Sequence, residues 1–255
     1  MHIFVVKRSS IIRAAMFLVL VAVAVIYTQA VLGGDQAVFE QDMVEMPVMS
    51  IESGDCAALT FDTAFGDDYT EEIMKILDKN NVRATFFVMG IWAQKYPGKV
   101  ESIKSAGHEI QSHSMYHERY PDLTADEMLD DADAASGYLE SVTGVKIPYI
   151  RMPFGAYDEN TITVLKSEGY LPFKWSLDSK DWKGEGPETV KKNVLDRVKP
   201  GDIILFQNNA YDTAEALDEI IAGIKDKGIF LKTISEMMYD NYVIDSDGML
   251  KPFLD

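Results

Sequence analysis

Residues 56–89 read CAALTFDTAFGDDYTEEIMKILDKNNVRATFFVM. The apolar run 57–61 predicts a strand. Thr70–Lys79 repeats its apolar residues at helical spacing, and 84–89 predicts a second strand. Strand, helix, strand with short connections is the crossover unit of a parallel sheet. The same rhythm continues down the chain. Further strands are expected at 108–112, Tyr149–Arg151, 171–175, 202–206 and 230–232. Helices are expected at 97–106, 124–141, 160–168, 187–197 and 213–227, with a last helical turn at 234–239. Thr124 and Glu127 form a capping-box pattern, and Gly169 stops the helix before it. So many strands in one run favour a barrel over an open sheet, and in such barrels the chemistry gathers at the C-terminal strand ends. No internal repeat or low-complexity tract interrupts the pattern.

Upstream, Lys7, Arg8 and Arg13 precede an uncharged run from Ala14 to Gly34. Its apolar body reaches ~20 residues, the length that crosses a bilayer as a helix. No further Lys or Arg occurs before Lys75, so the positive-inside rule expects a cytoplasmic N-terminus and an extracytoplasmic domain. A cleaved signal peptide ending near Ala30 or Gly33 is the rival reading, with an apolar core longer than the usual ~7–15 residues. On this reading 1–34 is tail and membrane anchor, 35–55 an acidic linker, 56–239 the domain and 240–255 a C-terminal tail. The single cysteine, Cys56, rules out an intrachain disulfide and is expected to pack in the first strand. Net charge is −17, and residues 1–34 contribute three positive charges and no negative one, so the rest is more acidic still. That excludes nucleic acid as a partner and suits a neutral or cationic substrate. No protein partner is evident.

Of the four histidines, His113 and His117 lie four residues apart. Two imidazoles at that spacing can share a metal ion, and a His pair with a carboxylate is a common catalytic zinc set. The alternative is two unrelated histidines in a surface segment. The strand ends carry a series around this pair: Thr60-Phe61-Asp62, His113-Ser114-x-x-His117, Arg151-Met152-Pro153-Phe154-Gly155, Asp178-x-x-Asp181-Trp182 and Ile203-Ile204-Leu205-Phe206-Gln207.

In order and spacing this series resembles the polysaccharide deacetylases, the NodB-like carbohydrate esterases, over residues 56–239. The resemblance implies an α/β fold, a distorted (β/α) barrel, that removes N- or O-acetyl groups from cell-wall sugars with a divalent metal, usually zinc. It makes His113 and His117 the histidine ligands and Asp62 the base for the attacking water. Arg151 would hold Asp62 charged and oriented by forking onto its carboxylate. The Phe154 backbone amide would face the forming oxyanion. Trp182 and Leu205 would wall the acetyl pocket.

The chain departs from the family in two places. A second Asp usually follows the first and binds the metal; here the residue is Thr63. The Phe-Asp-x-x-aromatic-Gly-Asp pattern is similar to a sporulation-type subgroup, where Asp67 would reach back to the metal; the alternative is a helix cap for 69–79. The fifth motif usually ends in a histidine that acts as general acid, positioned by the equivalent of Asp181. Here it is Gln207, which has no useful proton to give, although it can still hydrogen-bond, with Asp181 as the candidate partner. Neither His2 nor His108 is placed to substitute. Two readings follow: a metal-dependent deacetylase with an altered acid step, and a non-catalytic descendant that binds metal or glycan or scaffolds the wall.

Overall fold

The computed structural model describes residues 45–253. Strand β1 is Ser50–Ile51 and β2 is Cys56–Thr63; helix α1 (Thr70–Lys79) leads to β3 (Thr85–Val88). Helices α2 (Gly90–Lys95) and α3 (Pro97–Ser105) precede β4 (Glu109–Ser112), and α4 (Ala125–Thr143) precedes β5 (Tyr149–Arg151). Then follow α5 (Glu159–Ser167), β6 (Leu171–Phe173), β7 (Leu177–Asp178), α6 (Pro187–Leu195), β8 (Ile203–Gln207) and α7 (Tyr211–Asp226). The chain ends with β9 (Phe230–Leu231), α8 (Ile234–Met237), β10 (Tyr242–Ile244) and β11 (Met249–Pro252).

All eight residues of β2 are buried, as expected for a strand covered on both faces. It lies between β3 and β8 in a curled parallel sheet of order β6-β5-β4-β3-β2-β8-β7, and β9 pairs with its first residues. Side chains alternate along β2. Ala57, Leu59 and Phe61 face the helices and join their core, where Phe61 stacks between Phe86 and Phe206 at ring separations of 5.0 and 5.6 Å. Ala58 packs on the other face with Phe87, Phe173 and Ile203. That period of two brings Thr60 and Asp62 to the same inner face as Ala58, with Asp62 at the strand's C-terminal end.

The sheet is a half-barrel rather than a closed one: among the described residues β6 and β7 sit at opposite ends of the ladder. The segment before β2 spans the gap, with Val48 bridging Phe173 of β6 and Ser50 bridging Asp202 just before β8. Ser50 and Ile51 also pair in parallel with Met249 and Leu250 of β11, which is antiparallel to β10. Both expected domain boundaries therefore fall inside the folded unit. Val48, Ile51 and Leu250 are fully buried, so the expected linker and tail each contribute residues to the core. The two-residue β1 and the short β10 lack the long alternating run that signals a strand, which hid them in the sequence.

Helix α1 has the expected bounds, and Thr124 and Glu127 form the full capping box on α4. Helix α2 and strand β7 were not anticipated; each is short enough to read as a loop. The expected membrane segment lies outside the described residues, among which no helix is long and apolar enough to cross a membrane. The part played by β11 is testable. Leu250→Ala is expected to cost about 2–5 kcal/mol of stability, the usual range for a buried leucine truncation. Urea unfolding checks it, and a loss below about 0.5 kcal/mol, the range of ordinary surface substitutions, would return 240–255 to the status of a tail.

Candidate active site

Arg151, at the end of β5, is fully buried. Its Nη1 donates to Thr60 Oγ1 at 2.9 Å and to Asp62 Oδ1 at 2.8 Å; Nη2 donates to the Lys174 carbonyl at 2.8 Å. The guanidinium lies over the Phe87 ring, 4.0 Å from its centre. The expected fork does not form, because one nitrogen serves both Thr60 and Asp62 while the other is spent on backbone. Burial pulls the Arg151 pKa below its ordinary value, and the Asp62 carboxylate opposes that shift.

The Arg151 main chain orients His113, whose Nδ1 lies 2.7 Å from the Arg151 carbonyl oxygen. A carbonyl only accepts, so Nδ1 donates its proton there, and the other ring nitrogen, Nε2, lies 3.7 Å from Asp62 Oδ2. The His117 ring centre is 5.0 Å from that of His113. Burial, with help from His113, lowers the His117 pKa to about 4 against the pull of Asp62, so it is neutral at physiological pH.

The loop bearing His117 is held from two sides. The α2 amides of Gly90 and Ile91 donate to the Ser114 and Met115 carbonyls at 2.9 and 3.2 Å. From α4, buried Asp131 accepts the Met115 and Tyr116 amides, both at 3.0 Å, and the Tyr120 hydroxyl at 2.7 Å. Gly90 packs tightly here: an added Cβ would displace the Met115 side chain and lie 3.3 Å from the Met115 Cα. Ser114 and His117 both adopt positive φ, of 66° and 62°, which this clamping sustains.

These groups open into a cavity of about 700 Å³ lined by Asp62, His113, His117, Asp181, Leu205 and Gln207, among others. Phe154, Trp182, Phe65 and Tyr211 are exposed around it. Phe154 has φ 60° and is 67% exposed. Its neighbour Gly155, also at φ 60°, approaches Trp175 so closely that a Cβ would lie 2.5 Å from the indole.

The structure thus gathers Asp62, His113, His117, Arg151, Phe154, Asp181, Trp182, Leu205 and Gln207 at one end of the sheet. Asp67 is the exception. Its carboxylate lies 3.7 Å from Lys99 on α3 and does not line the cavity. It does not cap α1 either, whose N-terminus has no side-chain cap. An available cation draws it away from the histidines. Gln207 also differs from expectation, since its backbone amide donates to Asp181 Oδ2, at 2.7 Å. Thr63 is buried and donates to the Phe61 carbonyl at 3.3 Å.

Two imidazoles so placed are suitable nitrogen donors for a divalent ion. Among the described residues no group of three or more His, Cys, Asp or Glu side chains is close enough to hold one. The His pair therefore fits a metal, and the carboxylate beside it is Asp62, 3.7 Å from His113 Nε2.

The polysaccharide deacetylase family profile matches residues 51–173. The peptidoglycan-N-acetylmuramic acid deacetylase PdaA of Bacillus subtilis is 31% identical over 186 residues, covering 71% of each chain. A peptidoglycan-N-acetylglucosamine deacetylase of Bacillus cereus is 33% identical over 184 residues, covering 71% of this chain and 67% of that one. The chain belongs to the polysaccharide deacetylase family. Among solved structures, a CE4 family pseudoenzyme from Bacillus anthracis superposes with a TM-score of 0.74 at 26% identity, covering 84% of this chain and 75% of that one. A mutant of that pseudoenzyme, described as having restored enzymatic activity, matches equally well in TM-score. The family thus contains both deacetylases and a protein that has lost the activity.

Sequence reasoning missed Asp131, Phe65, Trp175 and Tyr211. Asp131 was one acid among several on an acidic helix, and nothing local marked it as the one facing inward. Asp131→Ala would strand two backbone amides and a buried hydroxyl, each worth about 1–3 kcal/mol when unsatisfied. A net loss of about 2–4 kcal/mol in urea unfolding is expected, with loss of activity at temperatures where the variant remains folded. Wild-type stability in that variant would mean the His117 loop holds itself.

Proposed function

We propose that this protein hydrolyses acetyl groups from an N- or O-acetylated cell-wall glycan, of the peptidoglycan or chitin-like class, with a divalent metal at His113 and His117. The observation that carries the proposal is the buried Arg151–Asp62 pair beside His113 on the cavity floor. A buried guanidinium is costly to maintain, and here it orients a carboxylate toward a solvent-filled cavity. The relatives named as peptidoglycan deacetylases support the substrate class. Exposed aromatics around the cavity suit the apolar faces of sugar rings.

Zinc or a similar ion would supply polarisation of the acetyl carbonyl. Asp62 would accept a proton from the attacking water, held in place by Arg151. The Phe154 amide is proposed to face the developing oxyanion, with Trp182 and Leu205 enclosing the methyl group. The uncharged run 14–34 would keep the domain at the outer membrane face, near wall glycan.

A second reading is a non-catalytic glycan- or metal-binding protein. Gln207, the displacement of Asp67 toward Lys99 and the likeness to the B. anthracis pseudoenzyme all favour it. Acetate release from acetylated chito-oligosaccharides, measured on the purified domain with its metal content, separates the two. About one divalent ion per chain and measurable turnover are expected. A His113→Ala/His117→Ala double variant should retain neither, and equal metal content in that variant would exclude the His pair as ligands.

A further inference from the structure

The cavity contains a second buried carboxyl whose surroundings are opposite in kind to those of Asp62. Asp181 is only 3% exposed. Its Oδ2 accepts the Gln207 amide at 2.7 Å and the Thr213 hydroxyl at 2.5 Å. Its Oδ1 is buried with no hydrogen-bond partner. The neighbouring acids are committed: Asp178 accepts the Lys180 amide at 2.8 Å and the Trp182 indole at 3.4 Å, and Asp212 accepts the Gly186 amide at 2.8 Å. Asp62 has Arg151 against it, whereas no cation bonds Asp181 among the described residues.

An unpartnered carboxylate oxygen in a buried site is expensive, and a proton on it removes most of that expense. Position matters as much as environment. Gln207 is the direct strand neighbour of Asp62 across the β2–β8 ladder, and Asp181 hangs from the Gln207 amide. Both carboxyls line one cavity, Asp62 from β2 and Asp181 from the turn after β7, on either side of the end of β8.

We propose that Asp181 is the proton donor to the leaving group, the part Gln207 cannot play; this rests on the deacetylase reading above. Asp62 removes a proton from water as the water oxygen bonds to the acetyl carbon. When the tetrahedral species collapses, the bond from carbon to the sugar nitrogen or oxygen breaks and its electron pair stays on the sugar atom. That atom takes the proton from Asp181 Oδ1, directly or through one water. Asp62 is left protonated and Asp181 charged, and exchange with solvent restores both. Burial raises the Asp181 pKa to about 6, against the Thr213 and Gln207 hydrogen bonds that lower it. Other titratable groups bordering the cavity are Asp62, His113, His117, Asp178, Tyr211 and Asp212; Lys180 and Lys183 flank Asp181 in sequence.

The test compares two substrates, with zinc supplied. One is an acetylated chito-oligosaccharide, whose amine must be protonated to leave. The other is 4-nitrophenyl acetate, whose phenolate leaves unaided. Asp181→Asn keeps both acceptor bonds through its amide oxygen. It should lose about 10²-fold or more on the oligosaccharide while changing the ester rate by no more than about threefold. In wild type, kcat/KM on the oligosaccharide should fall as pH rises past about 6, and that limb should be absent in Asp181→Asn. Thr213→Val gives an independent reading that does not depend on how Asp181→Asn folds. The Thr213 hydroxyl favours the charged carboxylate, so its removal should move the limb to higher pH. Equal losses on both substrates, or a limb unmoved in Thr213→Val, would overturn the assignment. A wild-type chain that cleaves the ester but not the oligosaccharide would overturn it too, while leaving the base and metal reading intact. A chain that cleaves neither overturns both.

Discussion

The Arg151 guanidinium is the interaction around which the site is built. It is fully buried, where the low local dielectric strengthens each of its hydrogen bonds. One nitrogen joins Thr60 and Asp62 two residues apart on β2, and the other reaches the backbone beyond β6. The same residue's carbonyl sets the His113 tautomer. Three strands of the half-barrel are thus fixed to one another by a single side chain and its own main chain. A lysine could keep the charge there, but its single ammonium could not span these acceptors. The cation also offsets part of the cost of burying the Asp62 carboxylate inside the sheet.

Around that centre, positional accuracy comes from backbone capture rather than from more charge. The His117 loop is gripped through its carbonyls by one helix start and through its amides by Asp131. Such bonds fix main chain at positive φ that no local preference would choose. The exposed aromatics are a different kind of component: they border the opening, and Phe154 and Phe65 meet the His117 ring edge-on at 4.6 and 5.0 Å between centres.

The parallel core was legible because its strands are apolar runs and its helices amphipathic, as in the match of α1 and the Thr124 capping box to their expected form. Strand-end residues were legible for the same reason: once β2 is placed, period two forces Asp62 inward beside Thr60. Other features needed three dimensions. Asp67 has the same local sequence whether it turns to a metal or to Lys99, and only the position of α3 decides. Asp131 and the unpartnered oxygen of Asp181 are defined by contacts far along the chain. Strands β1, β10 and β11 are too short to show a period; pairing across nearly the whole domain makes them strands.

That last pairing has a consequence for how the protein is made. Ser50 and Ile51 find their partners, Met249 and Leu250, only when the far end of the chain is available. During synthesis, and during any passage through a translocation channel, the β6 side of the half-barrel waits for a seam that arrives last. Contacts so distant in sequence slow folding, and an unfinished sheet edge is a place for unwanted pairing. A chain released before residue 250 would therefore hold every residue that lines the cavity and still lack the partner strand of Ser50 and Ile51.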